Sequence, residues 1–127
     1  MENMGKKVYD LEERTEKFAK DCRVLIRRVF KNTCNIEDTK QLARSSGSVA
    51  ANYIEANESL SRKDFYYRVK ICRKEAKESK LWLTLIEVGD NAELKTEKNR
   101  LREEAIELMR IFGSIIEGEK NKNKDKK

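Results

Sequence analysis

The chain contains no histidine in 127 residues. That removes the commonest general base and the commonest metal ligand. It also rules out the Glu-x-x-His pairs on which di-metal carboxylate bundles depend. Zinc would need histidine or paired cysteines, and Cys22, Cys34 and Cys72 form no C-x-x-C. An odd set of three fits reduced thiols better than a disulfide framework. No stretch spells G-x-x-x-x-G-K-[ST]; the small-residue cluster SSGS lacks the lysine and the spacing. Ser45, Ser46 and Ser48 have no histidine to activate them, and nothing marks a serine–lysine arrangement. The expectation is a non-catalytic protein with no cofactor and no metal. No run of eighteen apolar residues exists to span a membrane, and the opening MENMGKKVYD lacks the apolar core of a secretory signal. The expected location is cytoplasmic. Proline is absent too and glycines number five, so little interrupts long helices.

What remains is charge mixed with aliphatic residues. Charged side chains are 41% of the chain, a composition that fits long amphipathic helices when the apolar residues are periodic. They are. Leu11, Thr15, Phe18, Cys22, Leu25 and Val29 step by four and three, with Ile26 and Phe30 widening the stripe; Asp10, with Glu13 three residues on, is the expected N-cap. A second helix is expected from about Thr39 to Asn57 behind an Asp38 cap, with Leu42, Ser46, Val49, Ala50, Tyr53 and Asn57 inward. Its centre, ARSSGSVAA, either continues the helix as a close-packing segment or splits it as a loop; the constant phase of 42, 46, 49 and 53 favours continuity. Ser61 and Asp64 form an S-x-x-D start for a third helix. It is expected to run to about Val88 with Gly89 as C-cap and Phe65, Val69, Cys72, Ala76, Leu83 and Ile86 inward. The fourth is expected from Leu94 or Thr96 to Ile116, with Leu101, Ala105, Leu108, Phe112 and Ile115 inward and Gly118 as its stop. The fold class is therefore all-α, an antiparallel up-down-up-down four-helix bundle. Residues 1–9 are expected to be a flexible arm, 10–117 the bundle, and 118–127 a disordered polar tail.

Two features exceed what a lone bundle needs, and both lie on the third helix. Ile71, Leu81, Trp82 and Leu85 point away from the core stripe. Either the neighbouring helices wrap round to cover them, or they form an oligomer interface with Trp82 as an aromatic anchor. The second feature is charge. From Ser61 to Lys80 there are eight basic residues against three acidic, which leaves +5 out of a formal net charge of +6. Arg62, Lys63, Lys70, Arg73, Lys74, Lys77 and Lys80 are the candidate nucleic-acid-binding residues, with Tyr66 and Tyr67 among them as stacking partners. Read the other way, they are a solvated face that keeps a protein-interaction scaffold soluble. Glu75 and Glu78 could face each other as acid and base, but at helix spacing beside Lys74 and Lys77 they read as the ion-pair partners of those lysines.

The segments DLEERTEKFAKDCR, QLARSSGSVAANYIEANES and SRKDFYYRVKICRKEAKESKLWL resemble the bacterial four helix bundle protein family. Members are encoded in the intervening sequences of 23S ribosomal RNA genes and at other genomic sites. The resemblance covers about Asp10 to Ile116, and RSSGSVAANYIEANES and SRKDF are its most specific blocks. It implies a four-helix bundle assembled as a homopentamer. A related branch, the accessory variability protein of diversity-generating retroelements, binds nucleic acid and assists a reverse transcriptase. The partners implied are a second copy of the chain, RNA or DNA, and a reverse transcriptase where one is encoded nearby. No catalytic residue comes with the family, and encoding within an rRNA gene does not make the product a ribosomal protein. The resemblance also implies close helix packing at Gly47 and its small neighbours, and polar contacts from Asn52, Glu55 and Asn57.

Overall fold

A computed structural model describes the backbone of residues 2–125 and the side chains of residues 11–122. Among the described residues there are four α-helices and no strand: α1 (Glu2–Arg28), α2 (Thr33–Asn57), α3 (Arg62–Leu85) and α4 (Ala92–Asp125). Each packs against its neighbours in chain order, and α1 also meets α4, while among the described residues the backbones of the diagonal pairs do not approach. The cross-helix register is antiparallel throughout. Along α2 and α3, Arg44 meets Glu75, Ser45 meets Ser79, Val49 meets Cys72 and Asn52 meets Arg68. Along α1 and α4, Arg14 meets Glu104 and Asp21 meets Arg100.

The four expected stripes meet in one core. Phe18, Cys22, Leu25, Leu42, Val49, Val69, Cys72, Ala76, Leu83, Leu101, Ala105, Leu108 and Phe112 are all essentially inaccessible. ARSSGSVAA is continuous helix. Its serines bring α2 against α3, with Ser45 Oγ 2.8 Å from Ser79 Oγ and Cys72 Sγ on the Val49 carbonyl at 3.6 Å. Gly47 serves a different seam. A Cβ there would lie 3.1 Å from Nη2 of Arg23, whose guanidinium crosses from α1 to donate to the carbonyls of Ala19 and Ala43. Asn52 accepts from Arg68 at 3.0 Å and Asn57 donates to Glu12 at 2.8 Å, while Glu55 is exposed.

The ends differ from expectation. α1 begins at Glu2, ahead of Asp10, so Asp10 does not cap it. α2 starts six residues before Thr39, because Asn32, not Asp38, supplies the cap and accepts from the Asn35 N–H at 2.7 Å. α3 opens on Ser61 as expected, its Oγ accepting from the Asp64 N–H, but ends at Leu85. Gly89 is then a turn residue at φ 66° rather than a helix cap. Asn91 caps α4 through the Leu94 N–H, and Gly118 does not stop that helix. Inward facing also shifts at three edges: Ile116 is buried where Ile115 is half-buried, and Asn57 and Phe30 are exposed. The side chains of the expected arm at 1–9, and half of those of the expected tail, lie outside the described residues.

Cys22 and Cys72 are fully buried, and burial pushes both thiols up to about 12. Cys34 is exposed, in the first turn of α2. Iodoacetamide at about pH 8 should therefore label Cys34 alone in the folded protein and all three in denaturant. Labelling of two or three thiols without denaturant would show that the core opens. Between an unfolded value near 9.0 and the folded value, the native state holds protons that the unfolded chain has lost, so these thiols make stability fall as pH rises through that window.

Candidate nucleic-acid interface on the third helix

α3 buries Val69, Cys72, Ala76, Ser79 and Leu83 against the core. At 100° per residue, Lys63, Lys70 and Lys74 then fall opposite that stripe, and all three are exposed. Arg62, Arg73, Lys77 and Lys80 lie on the flank beside α4. Arg62 reaches Glu119 of α4 at 3.7 Å, Arg73 Nε passes 3.8 Å from where a Cβ on Gly113 would sit, and Thr84 accepts from Arg102 Nε at 2.8 Å. The seven expected cations thus share one continuous surface.

Their electrostatics are set by a residue on another helix. Arg44 of α2 takes both acids in the middle of α3, Glu75 at 3.2 Å and Glu78 in a tighter contact. Glu75 is buried. The expected pairing of these carboxylates with Lys74 and Lys77 does not occur. Among the described residues Lys63, Lys70, Arg73, Lys74, Lys77 and Lys80 make no ion pair, while Arg14, Lys17, Arg28 and Arg100 on the opposite side of the bundle are all paired. Asp21 illustrates the contrast: burial pushes its carboxyl up, but hydrogen bonds from Lys17 and Arg100 outweigh this and hold it below the usual range. The remaining α3 cation, Arg68, turns toward α2, onto Asn52 and over the ring of Tyr67 at 5.9 Å. Tyr67 is exposed, whereas Tyr66 packs edge-on against Phe65 at 5.1 Å.

The apolar set divides. Leu81 and Leu85 are 47% and 48% exposed, at the C-terminal end of the same outer face. Ile71 is half-buried. Trp82 packs against the core, its indole N–H pointing at Glu78 Oε1 at 3.5 Å, so it stands on the α2 seam rather than straight outward. Beside Leu81 a groove of about 550 Å³ runs between α3 and α4, lined by Lys74, Lys77, Glu78, Lys80, Thr84 and Arg102. Arg102 is the residue that reading the third helix alone misses. Its place one step off the Leu101–Ala105–Leu108 stripe marks it as flanking, but which neighbour it flanks depends on the packing.

Among the described residues no helix is long and apolar enough to cross a membrane, and no group of three or more histidine, cysteine, aspartate or glutamate side chains is placed to hold a metal. A family model described as 23S rRNA-intervening sequence protein matches residues 7–114. Comparison with curated proteins gives no match. A crystal structure of a protein of unknown function from the S23 ribosomal protein family of Bacteroides thetaiotaomicron superposes with a TM-score of 0.70 at 26% sequence identity, over 84% of this chain and 97% of that one.

Proposed function

The chain belongs to the 23S rRNA-intervening sequence protein family, and we propose on that footing that it is a non-catalytic, self-associating bundle that binds RNA or DNA through α3. The observation that carries this reading is the row of unpaired cations. With Glu75 and Glu78 taken by Arg44, no carboxylate among the described residues pairs with Lys70, Lys74 or Lys77, and phosphates are the anions such a row suits. Lysine acts as a point charge, so binding should be weakly sequence-specific and should weaken steeply with salt. Leu81 and Leu85 supply the self-association surface, and a closed ring, a pentamer by the resemblance, would repeat the cationic row around it and add the fields together. The same exposed leucines also favour a second reading, a protein-interaction scaffold with no nucleic-acid partner.

Fluorescence anisotropy with a labelled oligonucleotide separates the two. Lys70→Glu, Lys74→Glu and Lys77→Glu combined change exposed residues that hold no ion pair, so the protein should keep its fold while losing roughly tenfold or more in affinity at low salt. Arg27→Glu, on the exposed face of α1, is the charge control and should lose far less. Light scattering checks assembly in parallel. Leu81→Asp with Leu85→Asp should leave a folded monomer of 14.9 kDa; Trp82→Asp is the poorer probe because that side chain also packs on the core. Equal binding by the triple variant would leave only the scaffold reading. A monomeric wild type would remove self-association from both.

A further inference from the structure

At one end of the bundle the α1–α2 and α3–α4 connections meet around Asn35, which is buried and hydrogen-bonded to Phe30 on one connection and Glu87 on the other. Beside it lies an open pocket of about 520 Å³ lined by Phe30, Glu87, Val88, Gly89, Lys95, Lys98 and Asn99. Phe30 continues the apolar stripe of α1, yet its ring is 48% exposed. The left-handed turn at Gly89 brings main chain up to the ring, so that a Cβ there would sit 3.4 Å from Phe30 Cε1. The ring is thus supported along one edge and open on the pocket side.

Cations lead from this pocket to the face of α3. Lys98 donates from Nζ to the Ile86 carbonyl at 2.5 Å, and Arg102, one turn further along α4, donates to Thr84 and lines the groove with Lys74, Lys77 and Lys80. Burial first, and the charge of Arg102 second, hold the Lys98 ammonium below its usual range, which places the two cations within each other's field. Among the described residues Lys95, Lys98 and Arg102 make no ion pair. The acids nearby are few. Glu87 is on the pocket wall and accepts from Asn32 at 3.0 Å, Glu93 is bridged to Arg28, Asp90 is exposed beside Gly89, and Glu78 on the groove wall is held by Arg44.

We infer that this pocket takes an unpaired base of a single-stranded nucleic acid, stacked on Phe30, with the strand's phosphates running over Lys98 and Arg102 onto the lysines of α3. The inference rests on the nucleic-acid reading above and adds what that reading leaves open, the strandedness of the ligand. Duplex bases present only their edges, whereas an aromatic face at the end of a cationic groove suits a base that is out of the helix. The Glu87 carboxylate, unsuited to phosphate, suits a base amino group.

The test uses the full chain, a labelled single-stranded dodecamer and the blunt duplex of the same sequence, at low salt. Wild type should favour the single strand. Phe30→Ala should lose about tenfold on the single strand and little on the duplex, and Phe30→Tyr should restore the loss. A terminal 2-aminopurine should be quenched by wild type and by Phe30→Tyr, but not by Phe30→Ala. If Phe30→Ala binds and quenches like wild type while the α3 triple lysine variant fails to bind, the pocket is not a base site and the track stands alone. If wild type binds neither probe, the nucleic-acid reading and this inference fall together.

Discussion

Replacing Asn35 with leucine should lower the free energy of unfolding by about 3–5 kcal/mol and the melting temperature by roughly 10–20 °C for a domain of this size. The side chain is 1% exposed and bridges the two connections at its end of the bundle. Its amide donates to the carbonyls of Phe30 at 2.9 Å and Glu87 at 2.8 Å, and its Oδ1 accepts from the Glu87 N–H at 2.9 Å. Leucine fills nearly the same volume, so the loss comes from three main-chain groups left without partners, each costing about 1–3 kcal/mol where water cannot replace the bond. Thermal and urea unfolding followed by circular dichroism measure it. A melting point within a few degrees of wild type would mean that water reaches these groups when the amide is removed.

Asn35 also shows where the sequence stops being legible. NTCNIED has the composition of a loop, and nothing in those seven residues says that the second asparagine will bond to main chain 52 residues away. The helix starts at Thr33 because Asn32 caps it and Asn35 is anchored from outside, which local propensity does not register. The helix interiors were readable for the opposite reason. Phe18, Cys22 and Leu25, or Leu101, Ala105 and Leu108, are placed by a period that one helix carries within itself. The interface lies between these cases. The cations of α3 are visible as a composition, but their freedom is not, since it depends on Arg44 reaching across from α2 to Glu75 and Glu78. Sequence spacing pairs those acids with the adjacent lysines; packing gives them to another helix. Arg102 and Phe30 are hidden in the same way, because each joins the surface only through the relative rotation of two helices.

Phe112→Ala should destabilise the bundle by about 3–5 kcal/mol, the usual cost of truncating a buried aromatic side chain. The ring is fully buried on α4 and meets Tyr53 of α2 with centroids 6.1 Å apart at a tilt of 37°. Since α2 and α4 are diagonal partners whose backbones do not approach, this pair fills the middle of the bundle and not one seam. How much a truncation costs depends on how far the surroundings collapse into the cavity, and here they have little freedom to do so. α2 and α3 already touch at hydroxyl distance through Ser45 and Ser79, and α1 is held to α2 by Arg23 over Gly47. The cost should therefore lie in the upper part of the range, with some of it returned by Phe112→Leu, which restores most of the lost apolar volume. Tyr53→Leu combined with Phe112→Ala should cost less than the two single changes added together, because the contact between the rings is lost only once. Urea denaturation of the four proteins gives the comparison. Strict additivity would show that the rings pack on other residues and not on each other.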